Sequence, residues 1–146
     1  MGRFKVDTSP MEWPNVSIHP GRIGHGDDYL TSTRDGIYIN GWIWESYLSR
    51  MLYSRITEYS FNGDVEAPSS EWLDLAHDLE TLVERLTWCQ FSDEVALETS
   101  WICSSPFEDD KQFQLEREEF LSMYSSIASW IRRQATSHDW LWFCGM

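Results

Sequence analysis

Lysine is nearly absent from this 146-residue chain: Lys5 and Lys111 are the two, and eleven bases in all face twenty-four acids, for a net charge of −13. Gripping a DNA or RNA backbone takes clustered Lys and Arg, so direct nucleic-acid binding is not expected. Long apolar runs are missing too. No stretch of about 18 apolar residues occurs, which leaves no candidate membrane span. The start, Met1-Gly2-Arg3-Phe4-Lys5-Val6-Asp7, lacks the apolar core of a secretory signal, and Val6 stands where an acylation signal carries Ser or Thr. A cytoplasmic location is the expectation. Cysteine is sparse and odd in number: Cys89, Cys103 and Cys144 are widely spaced, which suits reduced thiols better than a disulfide framework.

What is abundant is aromatic. Nine Trp, seven Phe and six Tyr accompany a 42% hydrophobic content. Each buried ring removes roughly 150–250 Å² from water, enough to build a sizeable core in spite of the charge. The length fits a single domain over 1–146, because two cores cut from this chain would each be small.

The charge is unevenly placed. Residues 1–57 balance, and 120–146 sum to +1, whereas Glu58 to Glu119 holds seventeen acids against Arg85, Lys111 and Arg117, a net −14. Such a segment repels itself, keeps the protein in solution and captures basic partners quickly. A solvated acidic face with no partner is the plain alternative.

Periodicity divides the chain. Arg3–Thr8 and Val16–His19 are short extended candidates set off by Pro10, Pro14 and Pro20-Gly21, and Asp35-Gly36 turns into Ile37-Tyr38-Ile39. From about Trp42 to Tyr59 the apolar residues Trp44, Tyr47, Leu48, Met51, Leu52 and Ile56 recur at three and four, the spacing of one helix. A second helical run follows Pro68, with Trp72, Leu75, Leu79, Leu82 and Leu86 inward and Ser69 or Ser70 as the expected cap. Residues 94–102 fit strand or short helix equally. A third, long helix is expected from about Asp110 to 136–138, and Trp140-Leu141-Trp142-Phe143 reads as a last strand or a docked tail. The expected class is α+β: a small antiparallel sheet from the N-terminal part, open to C-terminal strands, packed on about three amphipathic helices, with Trp44, Trp72, Tyr124 and Trp130 in the core or at its edge.

Chemistry is harder to find. His19, His25, Asp27 and Asp28 lie within ten residues and could share a metal, the basis of an alternative reading as a small metal-dependent enzyme, but their spacing matches no ligand pattern. Gly21, Gly24 and Gly26 are followed by no Gly-Lys-Ser or Gly-Lys-Thr, so they make no phosphate loop. His138-Asp139 with Cys144 is close only along the chain. The expectation is no catalytic residue, no metal, no cofactor and no small-molecule ligand.

The second helix is the informative element, because its polar face from Glu71 to Glu84 carries one sign. Glu71, Asp74 and Asp78 fall at three and four, and Glu80 and Glu84 form a like-charge pair at four, each arrangement costing a few tenths of a kcal/mol in an isolated helix. With Glu108, Asp109 and Asp110 at the start of the third helix, these eight acids are the expected partner-facing set. In size, acidity and lack of a catalytic motif the chain resembles small acidic bacterial immunity proteins of contact-dependent growth inhibition and polymorphic-toxin systems. The resemblance implies an inhibitor that neutralises a basic, nucleic-acid-directed toxin; it transfers no residue and no fold. A DNA mimic or anti-defence protein, binding several basic DNA-binding enzymes, is the alternative of the same charge logic.

Overall fold

The computed structural model describes residues 4–10, 14–24, 35–89 and 107–145. The chain is α+β. Its order is β1 (Val6–Asp7), β2 (Asn15–Pro20), β3 (Ile37–Asn40), α1 (Gly41–Tyr47), α2 (Ser49–Arg55), β4 (Val65–Pro68), α3 (Ser69–Thr87), α4 (Asp110–Ala135) and β5 (Trp140–Cys144). The five strands form one antiparallel sheet in the order β1-β3-β2-β5-β4. The C-terminal aromatic run is thus a strand, and a central one, inserted between β2 and β4.

Alternation along the strands makes two faces. Val16, Ile18, Ile37, Ile39, Val65, Ala67, Leu141 and Phe143 join the helices in one connected core. On the reverse face, Ser17 stands opposite Tyr38 and Cys144, and Trp142 lies between His19 and Glu66. Trp142, His19 and Ser17 are buried there, so the sheet is covered on both sides.

Each helix starts for a local reason. Asn40 ends β3 and caps α1, its Oδ1 accepting from Trp42 N at 2.9 Å and Ile43 N at 3.2 Å. The single helix expected from Trp42 to Tyr59 is two, broken at Leu48, whose φ of −127° leaves the helical range. The break lets Trp44, Leu48 and Leu52 all reach the core. It also turns Ser49 inward, where its Oγ meets the Tyr59 hydroxyl at 2.7 Å and the Trp44 indole donates to that same hydroxyl at 2.8 Å.

At α3 the expected Ser cap is absent. Pro68 is the N-cap and no side chain caps the first turn; Ser69 instead points to the sheet, its N–H donating to Asp139 O and its Oγ to His138 O. The helix start is therefore tied to the entry of β5. Asp109 caps α4 through Gln112 N at 2.8 Å, and Arg132 and Arg133 complement the dipole in its last turn.

α3 packs along α4. Trp44 stacks on Phe143, and Phe4, Phe107, Phe113 and Phe120 form a ring cluster closed by Tyr124. Trp44, Trp72, Tyr124 and Trp130 are all buried, as their spacing implies.

Candidate protein-binding surface

The five acids of α3 do not form one face. Helical geometry puts Glu71, Asp74 and Asp78 on the flank toward α2, and Glu80 and Glu84 on the opposite flank toward α4. The neighbouring elements partly account for them. The half-buried Glu71 accepts from Thr57 N at 2.7 Å, fixing the chain just after α2. Asp78 takes the Arg55 guanidinium in a fork, 2.6 and 3.0 Å. Glu80 does the same with Arg132, 2.8 and 2.5 Å. Two of these acids thus find their bases across the packing, on α2 and α4, while α3 itself carries Arg85 in its last turn. Asp74 and Glu84 stand exposed.

At the start of α4, Glu108, Asp109 and Asp110 are exposed as well, with a structural task among them: Gln112 Oε1 accepts from Glu108 N while Asp109 caps. They lie at an end of α4 and do not merge with the flank toward α2.

Three acids outside the expected set join that flank. Glu58 and Asp64 come from the segment between α2 and β4, and Glu66 from β4 itself. Glu58 and Glu66 line two adjoining recesses, one of about 240 Å³ with Asp64 and Ile23 and one of about 330 Å³ with Thr57, Glu71, Arg22 and Trp140. Glu66 is held by Arg22 Nη2 at 2.5 Å and by Ile23 N at 3.0 Å, and the Arg22 guanidinium lies 4.0 Å over the Trp140 ring. Together, Glu58, Asp64, Glu66, Glu71, Asp74 and Asp78 meet Arg22 and Arg55, with Arg50 and Arg85 lining a further recess beside Asp78, so six acids stand against four arginines at this surface. Glu58 also sits at φ 63°, a left-handed backbone unusual for a side chain larger than Asn. Nothing in the primary pattern marks these three, because they reach Glu71 only once β4 pairs with β5.

On the other flank, α3 and α4 border an open cleft of about 610 Å³ lined by Val83, Trp88, Leu115, Arg117, Glu118, Leu121 and their neighbours. Trp88 is 84% and Leu115 77% exposed, the two most exposed large apolar side chains described.

His19, the first member of the suspected metal loop, is a sheet residue. Its ring stacks on Trp142 at 4.7 Å, meets Tyr38 edge-on and reaches Ser17 Oγ through Nε2 at 2.8 Å. His25, Asp27 and Asp28 lie outside the described residues, as do Cys103 and residues 94–102. Among the described residues no group of three or more His, Cys, Asp or Glu is placed to hold a metal ion. Cys89 is buried and Cys144 half-buried. The Tyr38 phenol is pushed up by burial and, secondarily, by Cys144 beside it. Among the described residues no helix is long and apolar enough to cross a membrane.

Compared with protein-family models, curated proteins and solved structures, the chain matches none.

Proposed function

We propose that the chain is an immunity-type inhibitor: a cytoplasmic binding protein, with no catalytic role of its own, that occupies the basic surface of a cognate toxin directed at nucleic acid. The observation that carries this reading is the carboxylate surplus on the α2 side of α3. Arg55 and Arg22 are matched to Asp78 and Glu66, Arg50 and Arg85 lie beside Asp78, and the six acids still outnumber these four arginines, with Glu58, Asp64 and Asp74 exposed. A surplus of one sign on a surface works against compactness through self-repulsion, so self-stabilisation does not call for it. A toxin that grips phosphates must be basic, and a carboxylate surface steers it in, at up to about 10⁸–10⁹ M⁻¹s⁻¹ at low salt.

The test is capture from the native host at low salt with a matched high-salt wash, followed by expression of the captured partner with and without this chain. One stoichiometric basic partner whose toxicity is relieved by the chain supports the reading. Several DNA-binding enzymes eluting together would replace it with DNA mimicry, and no salt-sensitive partner would overturn it.

A further inference from the structure

The sheet ends on one side in β4, which pairs with β5 along one of its edges. Ser69 N donates to Asp139 O one step beyond the last register pair, Pro68 with Trp140, and that bond fixes the alternation. Ala67 and Val65 exchange their backbone bonds with Leu141 and Phe143, so the backbone groups of Glu66 and the Pro68 carbonyl turn away from β5, toward the outer edge. The recesses of about 240 and 330 Å³ lie along that edge, because they are lined from both sides of the sheet. Ile23, Arg22 and Trp140 line them from the reverse side and Thr57, Glu58 and Glu71 from the helix side, with residues 65–68 between. A sixth strand, about 4.8 Å from β4, would run there.

Sheet edges are ordinarily guarded against unwanted pairing by shortness, proline or charge. β4 has all three, in its four residues, Pro68 and Glu66. The charge guard has one sign. Among the described residues lining the two recesses, Glu58, Asp64, Glu66 and Glu71 stand against Arg22. Arg55 brings its own acid, Asp78, and Arg50 and Arg85 line a separate recess beside that same Asp78. The opposite edge of the sheet, β1, shows no such surplus: it is two residues long and Lys5 pairs with Asp7. A second copy of this chain, at −13, would bring like charge to like at β4. A strand carrying lysine or arginine is the kind this guard admits.

We infer that β4 is a docking edge, to which the partner protein adds an extended basic segment as a sixth strand. Main-chain bonds to Glu66 and Pro68 supply the affinity, and lysine or arginine side chains that alternate along the added strand meet the carboxylates beside it. The inference rests on the reading proposed above and adds to it the part of the partner that is held and the way it is held.

Two synthetic probes test this with the full chain at low salt: an alternating Lys–Thr peptide, and the same peptide N-methylated at every residue, equal in charge and unable to pair as a strand. Calorimetry should find the unmethylated peptide bound more tightly by about tenfold or more, the worth of a few main-chain hydrogen bonds. Amide hydrogen exchange at Glu66 should slow when that peptide binds and stay unchanged with the methylated one. Glu66→Pro removes an N–H that β5 does not use; with an unchanged melting curve it should abolish the difference between the peptides, whereas Glu66→Gln, which loses the same charge, should keep it. If Glu66→Pro unfolds the chain, exchange in the parent decides alone. Equal affinity for the two peptides, or no change in exchange at Glu66, would overturn the docking edge. If Glu58→Lys with Asp64→Lys then still weakens both peptides, the acidic surface stands and the docking edge falls alone. If neither peptide binds the parent chain, the acidic reading itself fails and takes the edge with it. Sedimentation showing a dimer that Glu66→Pro dissolves would give the edge to a second copy and overturn the inference.

Discussion

Arg132, in the last turn of α4, forks onto Glu80 in the middle of α3, Nε to Oε2 at 2.8 Å and Nη2 to Oε1 at 2.5 Å. The hydrogen bond from Arg132 holds the Glu80 carboxyl below its ordinary 4.5. A depressed carboxyl stabilises the fold above its unfolded value and loses that contribution as pH falls through the folded one. Both side chains are more than two-fifths exposed, so screening keeps the effect small. Glu80→Gln should cost about 0.5 kcal/mol at pH 7 and less at pH 3, read from urea unfolding at the two pH values. Equal losses at both would show that the carboxylate charge is not what matters.

Asp74 is the cleanest probe of the partner surface. It is exposed, its neighbour Asp78 takes the Arg55 fork, and Glu71 takes Thr57 N. Asp74→Lys should leave the thermal midpoint nearly unchanged, within the roughly ±0.5 kcal/mol usual for exposed sites, while slowing association with a basic partner and flattening its salt dependence. Asp78→Lys breaks the Arg55 pair as well and should show both effects. Stopped-flow association across a salt series separates the two. Equal loss of stability in both variants would make Asp74 structural.

The helices were legible because long amphipathic stripes are local: Trp72 through Leu86 and Phe113 through Ile131 meet the core as their spacing implies. The break at Leu48 was not, since the apolar spacing continues through it and only the inward turn of Ser49 toward Tyr59 reveals the reason. Strand β4 was hidden in four residues containing Glu66 and Pro68, and it exists by pairing with β5. The acids of α3 were visible as residues and misleading as a surface. Their division into two flanks, and the arginines that meet Asp78 and Glu80, depend on how α2 and α4 cross α3.

Gly36 makes a separate claim about the reverse face of the sheet. A Cβ there would stand 2.3 Å from His19 Nδ1 and 2.8 Å from Ile18 O. The imidazole cannot easily withdraw, being stacked on Trp142 and bonded to Ser17, and the Ile18 carbonyl belongs to a central strand. Gly36→Ala should cost about 1–3 kcal/mol, the usual range for overpacking, and lower the midpoint by about 2–4 °C per kcal/mol. A melt unchanged from the parent would mean that the turn before β3 shifts freely.

Tyr59 joins α1 and α2 at its hydroxyl and meets β5 with its ring. It accepts from the Trp44 indole, meets Ser49 Oγ, and its ring packs 5.1 Å from Phe143. Tyr59→Phe keeps the ring and removes the oxygen, so the buried Trp44 N–H loses its acceptor; leaving such a donor unsatisfied costs about 1–3 kcal/mol. Trp44→Phe with Tyr59→Phe removes the orphaned donor along with its partner, and the double variant should lose less than the two single losses combined. The pH dependence gives an independent check. Burial pushes the phenol up to about 12 from its ordinary 10.0, so its contribution is intact below pH 10 and is lost as pH rises toward 12. The parent should therefore unfold more readily over that interval, and the part due to Tyr59 should be missing from Tyr59→Phe. If parent and variant lose stability in parallel from pH 10 to 12, the phenol is not buried as described, and the hydroxyl does not hold the break between α1 and α2 against the sheet.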